Sequence, residues 1–304
     1  MSIDLCVPEG VELSTLLDEL RKLSWAAADV LMAYARGKEP PYGFPKCLDI
    51  EEDGNGPVSA ADIAVNELLI SGLKENFSYQ QWGILSEEMS KEENFNFADL
   101  NKDWCWILDP LDGTKDFLQG SENYAVHIAL AHKQKPKIGI VLIPEREELW
   151  FGIQGSGAWC EDRDGNKRHF SFSERLKISE LILVSSKNHQ QSDLQNLLSK
   201  LPFAKTKKIG SVGCKVASIL RGEADVYISL SGKTSPKDWD MAAPHALIEA
   251  AGGAFSHADG RILSYFDQTY SQSGCLIASH GKAHKKICQK AMEFFSLEIP
   301  EYIV

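Results

Sequence analysis

Asp109-Pro110-Leu111-Asp112-Gly113-Thr114-Lys115-Asp116-Phe117 follows an apolar run, residues 104–108, and decides how the chain is read. The run predicts a buried strand that ends where the acids begin. Pro110 biases Asp109 toward extended backbone and interrupts ladder hydrogen bonding. A turn there brings Asp112 to the same side as Asp109, with the Leu111 carbonyl between them. Hard oxygen donors in this grouping suit Mg²⁺, which takes one or two carboxylates plus waters and a substrate phosphate. Gly113 lets an anion approach the backbone. Thr114 and Lys115 open a short helix whose first N–H groups lack partners inside it, a ready anion site. Asp-Gly alone is a turn signal; the nonapeptide behind a strand is more than that.

Two further stretches extend the pattern. Leu85-Ser86-Glu87-Glu88 lies upstream, and Trp239-Asp240-Met241-Ala242-Ala243-Pro244-His245 lies downstream. In content, order and separation the three resemble the signatures of the inositol monophosphatase superfamily, Mg²⁺-dependent, lithium-sensitive phosphatases. The resemblance runs from about residue 59 to near the C-terminus. It implies a layered αβαβα sandwich. It assigns Glu87, Asp109, Asp112, Asp240 and the Leu111 carbonyl as ligands of about two or three Mg²⁺ ions, a number in keeping with multi-metal phosphoryl chemistry. Clustered carboxylates raise one another's pKa unless cations sit among them, so the physics agrees. The resemblance also implies a metal-activated water as nucleophile, with Glu87 beside it. Thr114 accepts the water's proton and donates its own hydrogen bond to a carboxylate. The stretch Pro57–Asp62 makes Asp62 that carboxylate. Gly113, Thr114 and Asp240 are expected to touch the substrate.

Substrate choice is read from the C-terminal half. Ile209-Gly210-Ser211-Val212-Gly213-Cys214-Lys215 resembles the Gly-rich segment of the 3′(2′),5′-bisphosphate nucleotidases, which makes Ser211 and Lys215 candidate nucleotide contacts. Ser186-Lys187-Asn188-His189 resembles a second such segment, through Ser186 and His189. Residues 229–238 are short of acids and carry Lys233 and Lys237. That favours a doubly phosphorylated substrate over a polyol monophosphate, although Asp238 keeps the polyol open. The expectation is 3′-dephosphorylation of adenosine 3′,5′-bisphosphate and of its sulfated form. Inositol monophosphatase or fructose-1,6-bisphosphatase activity is the alternative. A non-catalytic metabolite sensor is disfavoured because Asp62, Glu87, Asp109, Asp112, Thr114 and Asp240 are all present.

Composition narrows the classes. The chain has 304 residues, 43% apolar and 25% charged, as in ordinary globular proteins. A net charge of −11 argues against a nucleic-acid polymer as ligand. A small phosphorylated metabolite remains, drawn by local lysines among Lys205, Lys207, Lys208, Lys215, Lys233 and Lys237. No window reaches membrane-spanning apolar length, and acids near the start argue against a secretory signal. Seven scattered cysteines without C-x-x-C fit a reduced, cytoplasmic setting. A monomer or homodimer is expected.

Apolar spacing predicts helices over about 12–36 and 59–75, then antiparallel strands over 124–131, 137–143 and 149–153 with a hairpin at Asp164-Gly165. Gly232-Lys233-Thr234 lacks the earlier glycine of a P-loop. From about residue 181 strands alternate with helices (near 191–201, 213–221, 240–251 and 282–295), an α/β pattern. A boundary near 172 would separate an N-terminal α+β domain (1–172), carrying most metal ligands, from a C-terminal α/β domain (173–304) carrying Asp240 and specificity.

Overall fold

The computed structural model describes residues 7–52, 57–77, 81–91, 95–96, 100, 102–187, 192–231, 235–267 and 269–298. Five layers stack in the order helix, sheet, helix, sheet, helix. The outer helices are α1 (Leu13–Ala35) and α2 (Ala60–Asn76), with the small ribbon β1 (Ile50–Glu52) and β2 (Pro57–Ser59) beside them. They cover a seven-stranded sheet in sequential order: β3 (Gly83–Ser86), β4 (Trp104–Asp112), β5 (Ala125–His132), β6 (Lys135–Ile143), β7 (Glu148–Ile153), β8 (Gly157–Glu161) and β9 (Lys167–Arg168). All its pairs are antiparallel except β3 with β4. A five-residue helix, α3 (Thr114–Leu118), follows β4.

The second half supplies the rest: β10 (Ile182–Ser186), α4 (Ser192–Lys200), β11 (Lys205–Ile209), α5 (Val212–Leu220), β12 (Val226–Leu230), α6 (Asp238–Ala250), β13 (Ala254–His257), β14 (Cys275–Ser279) and α7 (His284–Glu298). The five-stranded sheet has the order β11-β10-β12-β14-β13, parallel among its first three strands. Helices α5 and α6 lie between the two sheets, while α4 and α7 cover the far face. This is the layered sandwich that the three sequence signatures imply.

The large sheet is covered on both faces, so β5, β6 and β7 read as nearly continuous apolar runs rather than alternating ones. Each fully buried aliphatic there stabilises the fold by about 1.5–3 kcal/mol. Helix α6 approaches β6 and β7 closely because two glycines allow it. A Cβ at Gly139 would lie 2.4 Å from the Ala243 carbonyl oxygen, and one at Gly152 would lie 2.3 Å from Leu247 Cα. Helix α5 is buried along all nine of its residues.

Several expectations shift. Strand β4 continues past Leu108 to Asp112, because a bulge between Asp109 and Asp112 accommodates Pro110 within the ladder. Strand β11 was not foreseen. Its lysines mark an edge strand, where charge discourages pairing with another chain. Lys205 and Lys208 are exposed there and Lys207 lies 3.9 Å from Glu223, so these three serve the sheet edge.

Candidate active site

Strand β4 delivers the first acid. Asp109 is fully buried and stands opposite His127 in the β4–β5 register. Its Oδ1 accepts the Leu111 N–H at 3.1 Å, while its Oδ2 has no hydrogen-bond partner among the described residues. A buried carboxylate oxygen without a donor is costly unless a cation meets it. The bulge then turns Asp112 toward the second half of the chain. Asp112 Oδ2 accepts from Ser211 Oγ (2.6 Å), Val212 N (2.5 Å) and Gly213 N (3.2 Å). Those N–H groups are otherwise unpaired at the start of α5, and a carboxylate there is favoured by the helix dipole.

Helix α6 brings the third acid. Asp240 lies in its first turn, where Oδ2 accepts the Lys237 N–H at 2.6 Å. Oxygens of Asp109, Asp112 and Asp240 lie within 4.8 Å of one another. Three hard oxygen donors at that spacing, one of them orphaned, fit a divalent cation such as Mg²⁺. The electrostatics point the same way. Burial, and then the neighbouring Glu87, hold Asp109 well above the usual carboxylate range. Burial, and then Asp112, push Asp240 up to about 7.

Glu87 follows β3 on the flank and stands outside that trio. Its Oε1 lies 3.2 Å from Lys91 Nζ. Desolvation raises it to about 8 even with Lys91 opposing, though a quarter of its side-chain surface is exposed. Glu88, nearly buried, shares the same ammonium at 2.9 Å.

The expected hydroxyl–carboxylate contact is present. Thr114 Oγ1 lies 3.0 Å from Asp62 Oδ1 and 3.1 Å from the Leu111 carbonyl oxygen. Asp62 sits in the first turn of α2, and its Oδ2 accepts from Ser59 N (2.8 Å) and Ser59 Oγ (2.6 Å). Burial raises its pKa, and the Ser59 and Thr114 hydrogen bonds oppose that shift. Gly113 has φ +95°, a left-handed backbone that favours glycine, and a Cβ there would lie 3.4 Å from Ser211 Cβ.

The nucleotide-contact candidates separate. Ser211 is fully buried as the N-cap of α5, accepting from Cys214 N at 3.1 Å while donating to Asp112. Lys215 is the fourth residue of α5, near the helix N-terminus, and is 1% exposed. Its ammonium donates to the Gly210 carbonyl at 2.5 Å and lies 5.0 Å from the centre of the Tyr227 ring. Complete burial of α5 is the reason. Burial lowers its pKa, and Asp112 and Asp240 oppose that shift. Ser186 closes β10, half-buried, paired in register with Ile209. His189 and Lys233 lie outside the described residues. Lys237 is engaged by Thr269 and Ser271. Asp238 is buried and accepts from Phe266 N and Gln272 Nε2, both at 2.7 Å.

His127 was missed by sequence reasoning. Fully buried, it places Nε2 3.2 Å from Asp112 Oδ2 and Nδ1 3.3 Å from the Trp239 carbonyl oxygen. It therefore touches the elements that carry Asp112 and Asp240. A β4–β5 hairpin register would have placed it opposite Asp109. Lys91 was also missed, since one lysine in a polar stretch carries no signal.

Comparison with known proteins agrees with this geometry. A profile of the inositol monophosphatase family matches residues 12–294. The 3′(2′),5′-bisphosphate nucleotidase CysQ of Buchnera aphidicola subsp. Acyrthosiphon pisum is 31% identical over 253 residues, 82% of this chain and 87% of that one. Nus factor SuhB of Pasteurella multocida is 28% identical over 247 residues, 80% of this chain and 85% of that one. The solved inositol monophosphatase of Anabaena (Nostoc) sp. PCC 7120 superposes with a TM-score of 0.69 at 24% identity, covering 92% and 96% of the two chains. With the profile spanning nearly the whole sequence, this chain belongs to the inositol monophosphatase family.

Proposed function

We propose that the protein is a Mg²⁺-dependent phosphatase that removes the 3′-phosphate of adenosine 3′,5′-bisphosphate, giving AMP and inorganic phosphate. The hydrogen bond between Thr114 and Asp62, beside the Asp109, Asp112 and Asp240 carboxylates, carries the phosphatase reading. Asp109, Asp112 and Asp240, with the Leu111 carbonyl and Glu87 at the edge, would hold the ions. Bound Mg²⁺ supplies polarisation of the phosphoryl group and neutralises charge at the leaving oxygen.

The chain's own groups do the rest. Thr114 has one hydroxyl proton, and the Asp62 carboxylate is the stronger acceptor for it. The Thr114 lone pairs are then available to a water in line with the ester. That water's proton passes to Thr114 Oγ1 as the threonine proton moves to Asp62, which Ser59 holds in place. Gly113 and Thr114 offer backbone donors to the phosphoryl oxygens. Phosphoryl transfer asks mainly for such positioning and charge neutralisation.

For the substrate, similarity to CysQ supports the nucleotide. So does the engagement of Asp238: its carboxylate is taken up by Phe266 and Gln272, away from any polyol hydroxyl. The chain passes from β10 to β11 on one side and then back to β12 on the other, which makes the C-terminal end of β10 a topological switch point. Ser186 sits there, and Lys187 beside it reaches Asp116 of α3 at 3.2 Å. We assign the nucleoside to this crevice, with Ser186 contacting it. Ser211 and Lys215 shape it through Asp112 and Gly210. The similarity to SuhB favours inositol monophosphate as a second reading. A substrate panel with saturating Mg²⁺ separates them. Adenosine 3′,5′-bisphosphate should have the highest kcat/KM; faster turnover of inositol 1-phosphate rejects the nucleotidase reading.

A further inference from the structure

Asp116 belongs to the 109–117 stretch, yet the chemistry above does not use its carboxylate. It is fully buried. Its Oδ2 has no hydrogen-bond partner among the described residues and lies against Gly210, where a Cβ would collide with it. Its Oδ1 lies 3.2 Å from Lys187 Nζ. A buried carboxylate is costly unless it is paired, so this acid holds the ammonium where it is. Gln119 Oε1 accepts from the same ammonium at 3.0 Å, and Lys187 N donates to the Ile209 carbonyl at 3.3 Å. Lys187 is thus fixed at backbone and at tip, while 42% of its side-chain surface stays exposed.

Three elements meet at this ammonium: α3 and the ends of β10 and β11. The two strand ends bound the switch-point crevice, where ligands of α/β sheets bind. Asp116 follows Thr114 by two residues in α3, a rise of about 3 Å. An ester with its reacting phosphate at Thr114 and a second phosphate a few bonds away can bring that second group to Lys187. Two other lysines of this half are engaged elsewhere. Lys215 is buried on the Gly210 carbonyl, and Lys237 is bonded to Thr269 and Ser271. Two acceptors occupy two of the three Lys187 N–H donors, which leaves one for a ligand. Because Asp116 already orders the side chain, a ligand gains the contact without the cost of ordering it.

We propose that Lys187, held in place by Asp116, binds the second, non-reacting phosphate of the substrate and sets the preference for a doubly phosphorylated ester. Lys187 makes the contact; Asp116 is a positioning residue. The proposal rests on the reading of a doubly phosphorylated substrate given above and adds the group that selects it.

The ratio of kcat/KM for adenosine 3′,5′-bisphosphate to that for adenosine 3′-monophosphate, at saturating Mg²⁺, isolates the second phosphate. The wild type should favour the bisphosphate by about 10- to 100-fold, the worth of a charge-assisted hydrogen bond. Lys187→Gln should bring the ratio near unity, through KM rather than kcat, and Lys187→Arg should keep most of it. Lys187→Gln leaves a buried acid unpaired, so the double variant Asp116→Asn with Lys187→Gln, which removes both charges, should give the same loss. Asp116→Asn alone frees the ammonium and should lower the ratio by about 2- to 10-fold, again in KM, the cost of ordering one long side chain. A wild-type ratio near unity overturns the proposal, and so does a wild-type ratio retained in the double variant. Hydrolysis of inositol 1-phosphate but of neither adenosine ester overturns the nucleotidase reading instead. The same ratio, taken on inositol 1,4-bisphosphate against inositol 1-phosphate, then decides the role of Lys187.

Discussion

Asp112 Oδ2 accepts the Val212 N–H at 2.5 Å, joining the end of β4 to the start of α5 across 100 residues of sequence. The same carboxylate belongs to the aspartate trio, so the contact between the two halves and the cation cluster share one side chain. Stability and chemistry are therefore coupled at this point. The following outcomes are expected from that coupling.

Removing the Thr114 hydroxyl should slow chemistry without altering the carboxylates. Thr114→Val should lower kcat by about 10²–10³-fold, the range for loss of a proton-transfer group, with little change in KM. Asp62→Asn should lower kcat too, since Asp62 is the group Thr114 addresses. Steady-state kinetics on the preferred ester checks both; an unchanged kcat in Thr114→Val contradicts the assignment.

Metal and proton compete for the same acids. In the ion-free protein Glu87 is raised to about 8 and Asp240 to about 7, from ordinary values of 4.5 and 3.8. Stability from their protonated forms is full below the ordinary values and lost as pH rises through 7 to 8. The gain in melting temperature from saturating Mg²⁺ should accordingly be larger at pH 8 than at pH 6, where binding must first displace protons. Thermal scans in EDTA and in Mg²⁺ at the two pH values measure this. A larger gain at pH 6 would be the wrong sign.

Asp109→Asn removes one negative charge from a buried cluster. It should stabilise the ion-free protein, because burial and the neighbouring Glu87 disfavour a charge at this position, while abolishing activity. Urea unfolding in EDTA provides the number. A destabilised Asp109→Asn would mean that the carboxylate contributes to the ion-free fold through contacts beyond charge repulsion.

Gly152→Ala should act at a distance. The added Cβ would meet Leu247 Cα at 2.3 Å, and α6 carries Asp240. A cost of about 1–3 kcal/mol from overpacking is expected, with weaker Mn²⁺ binding. Chemical denaturation and a Mn²⁺ titration check the pair of effects.

Much of this architecture was legible. Residues 109–117 and 239–245 carry backbone demands as well as acids, and they carried the family resemblance that implied the sandwich and the ligand set; the apolar pattern alone supported only an α/β or α+β chain in two halves. Helices α1 and α2 followed from apolar periodicity. What stayed hidden was set by tertiary packing. Helix α5 has the sequence Val-Gly-Cys-Lys-Val-Ala-Ser-Ile-Leu, and its lysine reads as a solvated residue until the sheets close on both sides. Asp238 and Asp240 are two residues apart with the same local chemistry. The contacts of Phe266 N and Gln272 Nε2 decide that one clamps structure and the other faces the acids. His127 looked like one polar residue in an apolar strand; the bulge in β4 put Asp112 against it.

Acids distant in sequence are expected to converge on divalent cations. Anomalous diffraction from crystals of the wild-type chain soaked in Mn²⁺ tests this most directly. Mn²⁺ peaks coordinated by carboxylate oxygens of Asp109, Asp112 and Asp240 are expected. Full-occupancy peaks only at other acids, with the trio empty, would contradict it.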